Sequence, residues 1–321
     1  MQPSRKFLDQ ASAETGYRPA ILEKVVKLGD LAKEISRHPL LRDSLALKGG
    51  TALNLSFGPP SRLSVDLDFN YISHLERDAM LEDRPEIEGA ICELAQKKGF
   101  RVQQSTDAFA GRKIYCTYQS IYGPSDRVEV DLNYLFRLPL SNPIKRELWQ
   151  PGEIDSPKIL MVSKEELLIG KLLASIDRAA IRDIWDVGRL PLIAPDILDS
   201  EAFRAYFIAL SVILPHPINE YSTDSIKKKI STKAVENDLF PMLSREGQAS
   251  AAVIVNQAYK VLDSILVLED HELEYISKVH KGDLDLSLLF PKDKVIINRL
   301  AKHPVLAWKI QNVKSHIGTK G

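Results

Sequence analysis

The spacing of apolar positions changes character along the chain. From Tyr17 to Pro39, Ile21, Leu22, Val25, Val26, Leu28, Leu31 and Ile35 recur near helical spacing, which predicts a helix ending before Pro39. "LALKGGTALNLSF", from Leu45, then reads as a short strand, a glycine turn and a short helix. In "SRLSVDLDFNYI", Leu63, Val65, Leu67 and Phe69 alternate with Ser64, Asp66, Asp68 and Asn70, the period of a strand with one polar face. A helix is predicted over "RPEIEGAICELAQKKGF", stopped near Gly99. Two further β-rich runs, "RKIYCTYQS" and "RVEVDLNYL", flank "IYGPSD", whose Gly123 and Pro124 predict a hairpin turn. Val128, Val130 and Leu132 there alternate with Glu129, Asp131 and Asn133, so acids fall on one strand face a second time.

Pro139, Pro143, Pro151, Gly152 and Pro157 mark residues 137–161 as a loop-rich boundary. Beyond it the period is helical. "SKEELLIGKLLAS" opens with a Ser163-to-Glu166 capping box, and further helices are predicted over 201–213, 247–268, 270–280 and 292–312. The fold class is therefore α+β: a mixed sheet with flanking helices in the N-terminal half, then a mostly α-helical half. Two domains are expected, residues 1–155 and 156–321.

Composition narrows the function classes. Hydrophobic residues at 44% and charged residues at 27% are the balance of a globular chain. Lys plus Arg and Asp plus Glu are both 43, which argues against a basic nucleic-acid coat but leaves room for a local basic groove. Lys227 to Lys229, Arg112 with Lys113, and the stretch from Lys302 to Lys320 are the candidates, each equally readable as a solvated face. Cys92 and Cys116 have no metal-type spacing and predict two buried free thiols in a reducing compartment. The absence of an apolar membrane-length run and of an apolar core near the N-terminus leads to the expectation of a cytoplasmic protein. The seven histidines are scattered, outside any H-E-x-x-H or G-x-S-x-G context, which disfavours a hydrolase.

The acids suggest a cation site. Asp66 and Asp68 point the same way on a strand, with Cα atoms about 6.5–7 Å apart. Two carboxylates on a half-buried strand are costly without a cation. Asp131 or Glu129 qualifies by phase as a third acid. Such hard oxygen ligands suit Mg²⁺ and nucleotidyl transfer. Gly49 and Gly50 let backbone approach a phosphate, Thr51 adds a hydroxyl, and Ser64 shares the strand face of the acids. The competing reading makes the glycines a plain turn, pairs the aspartates with Arg62, and treats Glu129 and Asp131 as an ordinary charged strand face.

At these residues the chain resembles a known family. "KGGTALNL" followed by "RLSVDLDF" is similar to the signature of nucleotidyltransferases with a DNA polymerase β-like core, and more closely to the AbiEii/AbiGii toxin family, which includes the MenT-like toxins of type IV toxin–antitoxin systems. The family pattern, Gly-Gly-Thr/Ser, a short helix, then Arg-x-Ser-x-Asp-x-Asp, is matched by Gly49, Gly50, Thr51, Arg62, Ser64, Asp66 and Asp68. A second motif, Lys-x-x-Ala followed by Arg-Asp-x-x-Asp, is matched in "KLLASIDRAAIRDIWDV" by Lys171, Ala174, Arg182, Asp183 and Asp186, with Arg178 between. The resemblance covers about residues 15–190. It implies a nucleotidyltransferase fold and catalytic roles for Asp66, Asp68, Lys171 and Asp183, to which strand phase adds Asp131 as third ligand or base. Mg²⁺ is then expected on Asp66, Asp68 and Asp131, and an NTP on Gly49, Gly50, Thr51, Ser64 and Arg62, with Arg178 added because it lies seven positions from Lys171 on the same helix face. The resemblance further implies transfer to the 3′ end of tRNA, blocking translation, and a cognate antitoxin as partner. AMP transfer to a protein hydroxyl, and a non-catalytic protein that binds nucleotide or a partner around structural acids, are the alternatives.

Geometry sets a condition on the second motif. On a straight helix the twelve positions from Lys171 to Asp183 separate them by about 18 Å and about 120°. Either a turn near Asp177–Arg182 folds the second helix back, or only Lys171 reaches the nucleotide; local ion pairing of Arg182, Asp183 and Asp186 is the structural alternative.

Overall fold

The structure is a computed structural model that describes residues 3–108 and 110–318. The chain forms two compact units, one from residues 1–167 with 236–250, the other from 168–235 with 251–321.

The first unit opens with α1 (Arg5–Thr15) and α2 (Pro19–Arg37). Pro19 starts α2, where its missing N–H has no intrahelical role, and the helix stops before Pro39 as its pattern predicts. The short helix α3 (Leu41–Ser44) leads into β1 (Leu45–Lys48), and α4 (Gly49–Ser56) begins with no intervening residue. Then follow β2 (Asp66–Tyr71), α5 (Arg77–Lys97), β3 (Arg101–Gln104), β4 (Gly111–Gln119), β5 (Ser125–Asn133), β6 (Ile144–Glu147) and β7 (Lys158–Met161).

Among the described residues seven strands make one mixed sheet in the order β3-β4-β5-β2-β1-β7-β6. β2 runs parallel to β5 and antiparallel to β1, while β4 and β5 form the hairpin expected around Gly123. Period-two burial sorts the faces. Leu67, Phe69 and Tyr71 of β2, Val128, Val130 and Leu132 of β5, and Ile114 and Cys116 of β4 are all fully buried in the core with α2. Their alternates carry the polar face.

Several expectations change. β2 begins at Asp66, not Ser61, because the backbone ahead of it leaves the sheet and the Leu63 N–H bonds the Met242 carbonyl at 2.7 Å instead. α5 starts at Arg77 with Pro85 inside it, ahead of the expected start at Arg84. The stretch expected as loop holds β6 and β7, four residues each and each following a proline closely, too short for a pattern to register. β7 lies beyond residue 155, so the sheet draws on residues expected in the helical half. Cys116 is buried, which pushes its thiol up to about 12, but Cys92 is only half-buried and accepts from Gln104 Nε2 at 3.1 Å.

The second unit is helical. α6 (Lys164–Arg178) contains the division between the units, and α7 (Ile181–Ile193) follows. Helices Glu201–Ser211 and Asp270–Val279 correspond to predicted ones, whereas the helix predicted over 247–268 is two, Arg245–Ala249 and Ala251–Ile265, broken at Ser250. The helix predicted over 292–312 is instead two, Lys294–Leu300 and Pro304–Gly318, broken ahead of Pro304, which cannot continue a helix. Lys320 of the basic C-terminal stretch lies outside the described residues. Among the described residues no single helix is long and apolar enough to cross a membrane.

Candidate active site

In the first unit the site is built by register. The parallel pairing of β2 and β5 sets Asp66 opposite Glu129 and Asp68 opposite Asp131. Directly opposed residues share a face, so four carboxylates occupy one patch of the sheet. The antiparallel pairing of β4 and β5 adds Lys113 opposite Asp131 and Tyr115 opposite Glu129. On the other side, Lys48 of β1 is opposite Asp68.

The glycine turn closes over this patch. Gly49 has φ +75°, the left-handed region that favours glycine. A Cβ there would lie 2.3 Å from Asp68 Oδ2, so the bare backbone lets the chain end of β1 pass against the carboxylate. The first N–H groups of α4, beginning at Gly49 and Gly50, have no intrahelical acceptor and suit an anion.

Three of the expected nucleotide ligands, Thr51, Arg62 and Ser64, are buried. Thr51 is fully buried, and its hydroxyl donates to the Asp66 carbonyl at 2.5 Å. It ties α4 to the start of β2. Arg62 is 2% exposed with Nη1 donating to the Leu63 carbonyl at 3.0 Å, and Ser64 is likewise buried, in the segment before β2 rather than on the strand. Both residues lie in the segment that leads into Asp66. Asn70, two positions beyond Asp68, is buried and donates to Glu166 Oε1 at 3.4 Å; Glu166 Oε2 accepts the Leu140 N–H at 2.8 Å. Ser163 caps α6 as expected, accepting the Glu166 N–H, while the Glu166 carboxylate goes to this second task.

The acids are not all equivalent. Lys113 Nζ lies 3.0 Å from Asp131 Oδ2 and 3.8 Å from Glu129 Oε2. Burial works against its charge, but Asp131, Glu129 and Asp68 outweigh it and raise the ammonium above its ordinary value. Glu129 also meets Arg127 Nη2 at 2.9 Å, and that guanidinium lies over the Tyr115 ring, 4.8 Å from its centroid. Among the described residues no three His, Cys, Asp or Glu side chains are gathered as a ready metal cage. The donor chemistry nevertheless fits a hard cation: Asp66, Asp68 and Asp131 offer carboxylate oxygens, and glycine at position 49 leaves the Asp68 carboxylate uncovered by a side chain.

The second motif forms its own cluster within the second unit. α6 ends at Arg178, Ala179 takes φ +50°, and α7 starts at Ile181, so the chain folds back within three residues. The turn brings Lys171 Nζ to 2.9 Å from Asp183 Oδ1 and 2.8 Å from Asp186 Oδ2. Arg178 Nη2 meets Asp183 Oδ2 at 2.7 Å. Of the two geometries the sequence leaves open, the folded-back helix is the one formed. Lys171 is 6% exposed and Asp183 2%, whereas the Arg178 side chain is 63% exposed. Burial would raise the Asp183 carboxyl, but Lys171 and Arg178 hold it below the usual carboxylate range.

Lys113 is the residue whose part in the site was not read from the sequence. Its signal is visible in "RKIYCTYQS", where Lys113, Tyr115 and Thr117 alternate with the buried Ile114, Cys116 and Tyr118. The phase puts it on a polar face; only the β4–β5 register puts that face beside Asp131.

The model of the AbiEii family, described as the nucleotidyl transferase AbiEii toxin of type IV toxin–antitoxin systems, matches residues 33–253, more than half of the chain. The chain belongs to the AbiEii nucleotidyltransferase toxin family. The match spans the Gly-Gly turn, the acid face and the Lys171 cluster together. AbiEii membership makes the protein a nucleotidyltransferase, with a nucleotide as substrate and an antitoxin as its partner. Among solved structures, this AbiEii chain is similar to MenT4, a nucleotidyltransferase toxin from Mycobacterium tuberculosis H37Rv. The likeness has a TM-score of 0.60 at 16% identity, over 93% of this chain and 98% of that one. At that identity the likeness establishes the fold. No curated protein matches the chain.

Proposed function

We propose that this AbiEii toxin transfers a nucleotide from an NTP to the 3′ end of tRNA in the cytoplasm, which blocks translation. The observation that carries the reading is the Gly49 turn lying against Asp68, with Asp66 and Asp131 on the same sheet face. Asp66, Asp68 and Asp131 would hold magnesium. When bound, the ion supplies Lewis-acid charge beside the triphosphate and favours deprotonation of the attacking hydroxyl. The main-chain N–H groups at Gly49 and Gly50 bind triphosphate oxygens, and the absence of side chains there permits close approach. Thr51 acts from behind, its hydroxyl held on the Asp66 carbonyl, while Arg62 and Ser64 are buried in the segment that leads into Asp66. The acceptor hydroxyl attacks the α-phosphorus and pyrophosphate leaves, so rate comes from positioning and charge stabilisation. The tRNA acceptor and the magnesium rest on the family resemblance of the motifs.

The test incubates the protein with total tRNA, Mg²⁺ and each radiolabelled NTP in turn. Wild type is expected to label tRNA with at least one NTP, and Asp68→Ala to lose about 10³-fold or more in rate, the scale of removing a directly acting charge stabiliser. Label on protein instead of RNA would move the acceptor to a protein hydroxyl. Equal labelling by Asp68→Ala would remove the mechanism.

A further inference from the structure

The acid face carries a cation of its own. Lys113 Nζ sits 3.0 Å from Asp131 Oδ2, and Asp131 is the residue directly opposite Asp68. Glu129, two positions back along β5 and opposite Asp66, has Arg127 as a second partner at 2.9 Å. The carboxylate best placed to share an ion with Asp68 is therefore the one the lysine holds. A divalent ion and an ammonium on the same carboxylate repel each other across a few ångströms, and a half-solvated setting screens that repulsion only in part. The Lys113 side chain is 48% exposed on a flexible four-carbon stem, so its head can leave Asp131 without disturbing the buried face of β4.

We propose that Lys113 is a resident counter-ion of the acid face, weakening the binding of free divalent ions there and transferring its charge to the triphosphate when metal and nucleotide arrive together. The inference rests on the reading of Asp66 and Asp68 as metal ligands. Before nucleotide arrives, the ammonium offsets carboxylates that otherwise repel one another. After it arrives, the triphosphate brings enough negative charge to satisfy both cations. The lysine is a positioning residue, and it makes the site selective for the metal–nucleotide complex over the bare ion. An incidental surface pair predicts no such asymmetry, since exposed ion pairs are worth little in either state.

The experiment titrates full-length protein with Mn²⁺, reading free Mn²⁺ by electron paramagnetic resonance. It is run alone and with the α,β-methylene analogues of the four NTPs, for wild type, Lys113→Met, Lys113→Gln, Lys113→Arg and Asp68→Asn. Lys113→Met and Lys113→Gln are expected to bind Mn²⁺ alone about five- to tenfold tighter than wild type, from removal of one nearby positive charge. In the presence of nucleotide analogue they are expected to bind about fivefold weaker, with Lys113→Arg close to wild type. If Asp68→Asn abolishes Mn²⁺ binding while both neutral variants bind bare Mn²⁺ no tighter than wild type, the counter-ion role falls and the metal reading stands. If wild type and both neutral variants bind no Mn²⁺ in any condition, the metal reading falls and this inference with it. Two neutral variants guard against one misfolding, which circular dichroism checks.

Discussion

Gly49 sits where two constraints meet. Its φ of +75° would cost an L side chain about 1–2 kcal/mol, and the added Cβ would come within 2.3 Å of Asp68 Oδ2. The first penalty is a stability effect of ordinary size. The second falls on the far end of a side chain that can rotate away, so it relaxes by displacing the very oxygen the chemistry needs. Gly49→Ala is therefore expected to lower stability by about 1–2 kcal/mol but transfer activity on the order of 10²-fold, the cost of an ångström-scale misplacement. Chemical denaturation and single-turnover labelling measure the two separately. A variant that loses stability and keeps its rate would show that the Asp68 carboxylate can move without consequence. The role of Thr51 has the same local logic: a hydroxyl legible as a phosphate ligand is committed to the Asp66 carbonyl because the residue is fully buried. A side chain's type was visible in the sequence; which way it turned depended on how α4 packs on β2.

At the scale of elements, the α6–α7 turn converts a sequence spacing into a buried ion cluster. Lys171 stands against Asp183 and Asp186, with Arg178 closing the outer side. Removing the lysine takes the buried ammonium away from two buried carboxylates, with Arg178 still on Asp183, and Lys171→Met is expected to cost about 3–5 kcal/mol. The pH dependence follows from Asp183. Its folded carboxyl is held below the usual value of about 3.9, so its contribution is complete above that value and lost as pH falls through the lower folded one. Urea denaturation from pH 7 down to pH 3 is expected to show the margin of wild type over Asp183→Asn constant to about pH 5, then shrinking. A margin that grew on acidification would reverse the assigned sign. The turn itself was legible, because the Lys171–Asp183 spacing left few other ways to use both residues. The sheet was legible only in part. Strands with sustained alternation, β2, β4 and β5, announced themselves, whereas β6 and β7 have four residues each and take their place from partners distant in sequence. The acids' alternation fixed their face, but the pairing of Asp68 with Asp131, and of Asp131 with Lys113, is a property of register that no single strand encodes.

Over the whole molecule, the chain reaches back to support its own site. Residues 236–250 belong with the first unit although both flanking stretches belong with the second. Met242 packs against the first unit's core and offers its carbonyl to the Leu63 N–H, while Leu243 is fully buried. Leu63 lies between Arg62 and Ser64, in the segment that delivers Asp66 to the sheet. A segment some 180 positions later in sequence thus holds the entrance to β2, a dependence invisible to any local pattern. Leu243→Ala is expected to cost about 2–5 kcal/mol, the range for a large buried aliphatic truncated to alanine. The location of the effect matters more than its size. Hydrogen exchange is expected to accelerate in peptides covering Arg62–Val65 and residues 236–250, and to stay unchanged in helix Glu201–Ser211 of the second unit. Transfer activity is expected to fall with the lost protection, because Asp66 follows directly on that segment. Acceleration confined to Glu201–Ser211 would assign the segment to the other unit and remove its support of the acid face.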